Sequence, residues 1–147
     1  MRSYFYTLLN DLSQHMQLPF DSHMEGSRVR FKVDKAYQFG LGLDNSELFL
    51  VFECVLLDKK FLELEPMTFL RLNFAAAYHD GCFSSVDPHT DTIVLLTRLP
   101  LEGLEVPQVV KTMEKMLNVA DRITRGELAQ GRSPSSQTLD FFSQVRP

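Results

Sequence analysis

This chain has more apolar sequence than one small hydrophobic core can bury. From residue 47 to 57, apolar side chains fill both alternating registers of a predicted strand, interrupted only by Glu53. A second helix is predicted at 67–80, with Pro66 in its first turn and Gly81 at its end, and apolar groups cover well over half of its circumference. A chain of 147 residues builds one good core. We therefore expect part of this surface to contact another chain.

Two explanations within a single chain remain open for this surplus. A sheet covered by helices on both faces would bury the two-sided strand, and a fully internal position would bury the second helix. Self-association is the alternative that explains both elements together.

Periodicity predicts the remaining elements. Phe5, Leu8 and Leu12 recur at helical spacing before Pro19, and apolar residues alternate with cations from Arg28 to Val33. The predicted order is a helix at 3–17, strands at 28–33, 37–43 and 47–57, a helix at 67–80, strands at 82–86 and 92–96, and a helix that starts beyond Pro100 and ends near Gly126.

This order indicates an α+β fold with one domain at residues 1–128. We expect three antiparallel strands and then two more, packed by the helices. Residues 129–147 are rich in Gln, Ser, Gly and Pro, and we expect them to form a flexible polar tail that buries too little to order itself. Within the tail, Leu139, Phe141 and Phe142 form an apolar cluster suited to docking on an apolar groove.

Charge and cysteine content exclude several classes of partner. The net charge is −4 and the pI about 5.5, so no global positive field attracts nucleic acid or an anionic membrane. No apolar run approaches the roughly 18 residues of a membrane span, and the N-terminus lacks a signal cleavage site. Cys54 and Cys82 are too few for a disulfide framework, which favours a reducing cytosol and reduced, buried thiols that are dispensable for activity.

No motif indicates catalysis or a bound metal. The sequence lacks HExxH and CxxC patterns, and the HDGC segment at 79–82 is explained by a helix end before a strand. The glycines at 40 and 42 alternate with strand residues rather than opening a helix, as a phosphate loop requires. Asp87, His89 and Asp91 are ordinary turn residues. We predict no catalytic residue, no metal site and no cofactor.

The order of elements closely resembles the class I type III secretion chaperones of bacterial pathogens, the Tir chaperone-like family, over about residues 3–127. The resemblance is carried by FYTLLNDLSQHMQLP, FLVFECVLL, FLRLNFAAAYHDG, FSSVDPHTDTIVLLTRLPLEGL and VVKTMEKMLNVADRITRGEL, whose order and spacing matter more than any single motif.

The resemblance implies a homodimer in the bacterial cytoplasm that is not an enzyme and uses no cofactor. It implies binding of the extended N-terminal segment of a secreted effector and delivery to the export apparatus, including its ATPase.

The residues agree with this kind of recognition, because an extended peptide adds to strand edges and seats alternate side chains in apolar pockets. The expected effector-binding residues are Phe5, Leu8, Leu12, Val29, Phe31, Phe39, Leu41, Phe52 and Cys54, although several must instead be core and the sequence does not divide them. The expected centre of the dimer is Phe69, Leu72, Asn73, Ala76 and Val94, where small and apolar residues allow close packing and Asn73 can pair across a two-fold axis.

Two other functions remain open. A secretion-system regulatory adaptor of the same fold would bind a folded partner rather than an unfolded segment. A small enzyme or ligand-binding α+β domain would bring convergent polar groups to an apolar pocket, and the sequence offers only scattered ones.

Overall fold

The computed structural model describes the chain in residues 1–18, 24–25, 27–33, 36–57, 63, 65–76 and 81–125. The elements are α1 (Arg2–Met16), β1 (Met24–Glu25), β2 (Arg28–Lys32), β3 (Tyr37–Leu43), β4 (Phe49–Leu56), α2 (Pro66–Ala76), β5 (Phe83–Asp87), β6 (Thr92–Pro100) and α3 (Val106–Thr124).

The six strands form one antiparallel sheet in the order β1-β2-β3-β4-β6-β5. Strand β4 lies inside the sheet and pairs along its whole length, with Phe52 opposite Leu41 of β3 on one side and Thr97 of β6 on the other. Its β-branched and aromatic residues suit this paired, pleated position.

One face of the sheet carries the hydrophobic core. Burial alternates along β4, where the even-numbered positions from Leu50 to Leu56 are buried and the odd-numbered positions are half-buried. The buried residues of α1 and α3, such as Phe5 and Met116, belong to the same core cluster, so both helices cover this face.

Hydrogen bonds at the helix ends hold the last turn of α1 and the first turn of α3. Gln17 ends α1 in the left-handed conformation, at φ 54°, and Leu18 donates back to the Ser13 carbonyl at 3.1 Å. The Glu105 amide donates to Oε1 of Gln108 at 2.8 Å, which satisfies one of the free donors at the start of α3.

Two tyrosines fix these helices to the rest of the fold. The Tyr4 hydroxyl donates to the Leu104 carbonyl at 2.7 Å and joins α1 to the loop before α3. The Tyr37 hydroxyl lies 2.9 Å from Oγ1 of Thr124 and joins the end of α3 to the start of β3.

The predicted α+β order is confirmed, with differences in detail. Strand β6 runs on to Pro100 instead of ending at Leu96, because Thr97–Pro100 still pair with Phe49–Phe52. A two-residue strand, β1, had no sequence signal. Helix α2 is described as far as Ala76, and residues 77–80 of the predicted helix lie outside the described residues, as does the predicted tail at 129–147.

The predicted turns carry the expected turn chemistry. Asp44 accepts from the Phe49 amide at 3.2 Å and from the Ser46 hydroxyl, and these hydrogen bonds, that from Ser46 first, lower the pKa of the Asp44 carboxyl. Asp87 accepts from the His89 amide at 2.8 Å, and this bond is the main cause that lowers its pKa. Both carboxylates therefore close hairpin loops, as the sequence indicated.

Candidate functional site

The second face of the sheet exposes apolar side chains that the core does not use. We call it the open face and define it by Val51, Glu53 and Val55 of β4 with Leu96 of β6, all of which are half-buried. These residues lie on the side of the sheet opposite the core residues of α1 and α3. The open face is therefore an apolar surface with a carboxylate at its centre.

The glycines of β3 make room for an ion pair on the open face. Arg28 of β2 and Glu53 of β4 lie on either side of β3, and Nη2 of Arg28 is 3.2 Å from Oε1 of Glu53. A Cβ atom on Gly40 would lie 2.9 Å from Oε2 of Glu53, and one on Gly42 would lie 3.4 Å from Cβ of Arg28. The side chains of Arg28 and Glu53 therefore occupy the space that the glycines leave on this face of β3.

A concavity of about 160 Å³ lies on the open face beside the β5–β6 turn. Its walls include Val55 and Leu96, which are half-buried, and Val94, which is buried. The concavity has the size of one medium apolar side chain and is lined mainly by apolar groups.

The outer side of α2 forms a second exposed apolar surface. Met67, Leu70 and Phe74 follow one another at spacings of three and four, so they share one stripe of the helix. Leu70 is 58% exposed and Phe74 is 59% exposed. We call this stripe the α2 face, and it is exposed apolar surface in addition to the open face.

The inner side of α2 is joined to the free edge of the sheet by Asn73. Its side-chain amide donates to the Ser84 carbonyl at 3.1 Å and its Oδ1 accepts from the Ser84 amide at 2.6 Å. A single side chain thus satisfies both backbone groups that an edge strand would otherwise present at this position. The Ser84 hydroxyl adds a bond to the Phe69 carbonyl at 3.2 Å.

Replacement of Asn73 by alanine should lower the free energy of unfolding by about 1–3 kcal/mol, because it leaves the donor and acceptor of Ser84 unpaired. Urea unfolding at one fixed protein concentration measures the change. Ser85→Ala is the matched control, since Ser85 is an exposed neighbour on the same strand, and its effect should stay within about 0.5 kcal/mol. Equal effects of the two variants would contradict this role of Asn73.

The structure places all nine expected effector-binding residues in the core. Phe5, Leu8 and Leu12 pack from α1, and the other six lie on the core face of β2, β3 and β4. None is more than 7% exposed. They do not form a surface of the folded chain, because the register of β4 that contains Phe52 and Cys54 is the one that α1 and α3 cover.

Sequence reasoning missed the residues of the open face, although a signal for them was present. Val51 and Val55 share their register with Glu53, the only charged residue of β4. A charge marks the register that meets solvent, so the opposite register is the core.

The expected dimer residues lie on the inner side of α2 and in the sheet. Leu72, Ala76 and Val94 are buried within one chain, and Phe69 is partly buried against the core. Asn73 hydrogen-bonds to Ser84 of its own chain through both the nitrogen and the oxygen of its side-chain amide. The exposed residues of the same helix, those of the α2 face, are the ones available to another chain.

Both cysteines carry thiols rather than a disulfide and both are buried, Cys54 in the core and Cys82 before β5. Burial raises the pKa of the Cys82 thiol to about 11, because desolvation disfavours the thiolate. Cys82 is therefore a neutral thiol at physiological pH and a poor nucleophile.

Cys82 should react with a soluble disulfide reagent at pH 8 roughly 200-fold more slowly than an unperturbed thiol of pKa about 8.5, because its thiolate fraction is that much smaller. The Cys54→Ser variant isolates Cys82, and the same variant in denaturant supplies the fast reference rate. The Cys54→Ser protein should be less stable than the wild-type protein but should bind its partner with the same specificity. Native labelling as fast as in denaturant would contradict the raised pKa.

A metal-binding cluster and a membrane-spanning helix are both absent from the part of the chain that the structure describes. No group of three or more His, Cys, Asp or Glu residues is arranged to hold a metal ion within it. Among the described helices, none has the length and apolar character needed to cross a membrane.

A match to a protein-family model covers most of the chain. Residues 7–124 match the Tir chaperone protein (CesT) family, which spans every element from α1 to α3. The chain belongs to this family. No curated protein sequence matches the chain.

Solved structures share the fold at low sequence identity. The structure of the HopA1–SchA chaperone–effector complex matches with 20% identity and a TM-score of 0.68, covering 82% of this chain and 92% of that one. The ExsC–ExsE complex matches with 19% identity and a TM-score of 0.71, over 90% and 98% of the two chains. The Yersinia pestis type III secretion chaperone SycH, in complex with a stable fragment of YscM2, matches with 18% identity and a TM-score of 0.57, over 79% and 96%.

Proposed function

We propose that this protein is a type III secretion chaperone that binds the N-terminal segment of a secreted effector and keeps it competent for export. Membership of the CesT family supports the chaperone role. The observation that carries the binding role is the open face, an apolar sheet surface opposite the face that α1 and α3 cover.

The open face suits an extended or partly folded segment better than a small molecule. Its apolar groups are spread over β4 and β6, and its concavity of about 160 Å³ is smaller than the roughly 300 Å³ at which ligand pockets begin. A segment that is unstructured alone places successive side chains along such a surface. Arg28 and Glu53, which form an ion pair on the same face, supply charged groups that fix its position.

The α2 face is the surface we propose for the homodimer. The α2 face leaves three large apolar side chains more than half exposed, which costs free energy in water. Two copies packed about a two-fold axis would bury both of their α2 faces against each other. The proposal moves the dimer centre from the inner to the outer side of α2.

The remaining parts of the proposal rest on the family. As a member of this family, the protein would bind its partner without enzymatic activity and without a cofactor. It would act in the bacterial cytoplasm and deliver the bound effector to the export ATPase.

A pull-down tests the function directly. The full chain is immobilised and offered N-terminal effector fragments of some tens of residues that are unstructured alone, with the folded C-terminal domain of the same effector as the matched control. Binding of a fragment and not of the folded domain is the expected result. Binding of only a folded partner would instead support the regulatory adaptor.

A further inference from the structure

Strand β2 gives the open face a row of cations. Burial alternates along this strand, and its buried residues belong to the core, so Arg28, Arg30 and Lys32 lie on the opposite side, which is the open face. Arg28 is paired with Glu53. Within the described residues, the ion pairs include neither Arg30 nor Lys32. Two positive charges therefore lie beside the apolar part of the open face without a carboxylate partner from the described chain.

Arg30 also has a hydrogen-bond donor that the described chain leaves unsatisfied. Its Nε atom is buried and has no hydrogen-bond partner there. Buried donors in folded proteins almost always have a partner, and a charged donor is especially costly to leave without one. Arg30 as a residue is half-buried, so a bound molecule can still reach its guanidinium group. A carboxylate is the acceptor that fits best, because it accepts two parallel hydrogen bonds from a guanidinium.

The carboxylate of Glu53 does not neutralise this pair of cations. It lies over Gly40, and its Oε1 is 3.2 Å from Nη2 of Arg28, so its charge is balanced by Arg28. Arg30 and Lys32 are next neighbours on one face of the strand, about 7 Å apart, so a single carboxylate between them reaches both. The whole chain has a net charge of −4, but salt screens charges beyond about 8 Å, so the nearest cations decide what binds here.

The other end of the open face favours an apolar group. The concavity of about 160 Å³ has walls formed by Val55, Val94 and Leu96, and Asp87 also lines it. An apolar side chain fits these walls, whereas a second acidic group would be repelled by Asp87. The open face therefore favours an acidic residue over β2 and an apolar residue over β6.

The width of the sheet sets the spacing between these two groups. Strands β3 and β4 lie between β2 and β6, so β2 and β6 are about 14 Å apart at roughly 4.8 Å per strand. An extended segment laid across the strands advances about 3.3 Å per residue, so about four residues cover this distance. Side chains four positions apart in an extended segment point to the same side, so both can face the sheet.

We propose that the open face selects a segment in which an aspartate or glutamate lies about four residues from a large apolar residue. The carboxylate binds between Arg30 and Lys32, and the apolar side chain enters the concavity beside Val55. This inference rests on the proposed effector-binding role of the open face and adds the chemistry that the bound segment must have.

Selection from a displayed library of random twelve-residue peptides on the immobilised full chain tests this proposal. Peptides bound by the wild-type protein should be enriched in Asp or Glu about four positions from Leu, Ile, Met or Phe. Arg30→Glu should abolish the acidic preference and keep the apolar one, because the concavity is unchanged. Arg125→Glu is the matched control, since it changes the net charge equally at the exposed end of α3, and it should keep both preferences.

The affinity of one selected peptide gives the size of the effect. Replacement of its acidic residue by the corresponding amide should weaken binding to the wild-type protein roughly tenfold or more, and should not weaken binding to Arg30→Glu. Enrichment of apolar residues without acidic ones, or equal loss of the acidic preference in Arg30→Glu and Arg125→Glu, would overturn this inference and leave the effector-binding role of the open face in place. A selection that enriches neither type of residue would count against both.

Discussion

Replacement of Leu70 by aspartate should convert a dimer of about twice 16.9 kDa into a monomer at micromolar concentration. Leu70 lies at the middle of the α2 face and is 58% exposed, so the charge is harmless in the isolated chain. In an interface it would be buried without a partner. Loss of an apolar anchor at the centre of an interface costs about 2 kcal/mol or more, which is roughly a 30-fold weaker association before the charge is added.

Light scattering and sedimentation measure this change, and Leu48→Asp is the matched control. Leu48 is the same residue type, is also more than half exposed and lies in the turn before β4, away from α2. The control should remain a dimer. A wild-type monomer, or a Leu70→Asp protein that stays dimeric, would show that the α2 face is not the interface. Charge at Ala76 is a poorer test, because Ala76 is buried within one chain and its substitution would disturb the fold itself.

Truncation of Phe52 to alanine should have the largest effect on stability, a loss of about 3–5 kcal/mol in the free energy of unfolding. Phe52 is fully buried at the centre of β4, with Leu41 and Thr97 beside it, so the change leaves a cavity in the core. Val55→Ala, on the open face of the same strand, is the control and should cost about 1 kcal/mol, since Val55 is half-buried and removal of its methyl groups leaves no enclosed void. Denaturant unfolding at a fixed protein concentration compares the two, and similar losses would contradict the assignment of the core to one face of β4.

The sequence predicted the order of the elements because each has a strong local signal. The apolar stripe of α1, the alternation in β2 and β3 and the capping residues of α3 depend on neighbours within a few positions. Strand β6 was predicted four residues too short for the opposite reason. Thr97 and Arg98 are polar, and only pairing with β4, a contact distant in sequence, keeps Thr97–Pro100 in the sheet.

The open face and the α2 face were harder to predict, because they contain the same types of apolar residue as the hydrophobic core. Phe52 and Val55 look equally suited to a core, and the helices that cover one face of β4 belong to distant parts of the chain. Asn73 illustrates the same limit. Its position on α2 suggested pairing between two chains, but the nearby edge of β5 takes up its amide first.

Calorimetric titration of the dimer with an N-terminal effector fragment that the pull-down identifies tests directly whether the open face holds the effector. We predict that the wild-type protein and Leu48→Glu bind the fragment with the same affinity, while Val55→Glu, which places a charge on the open face, binds at least about 30-fold more weakly. A Val55→Glu protein that is folded, dimeric and binds with wild-type affinity would contradict the claim that the open face holds the effector.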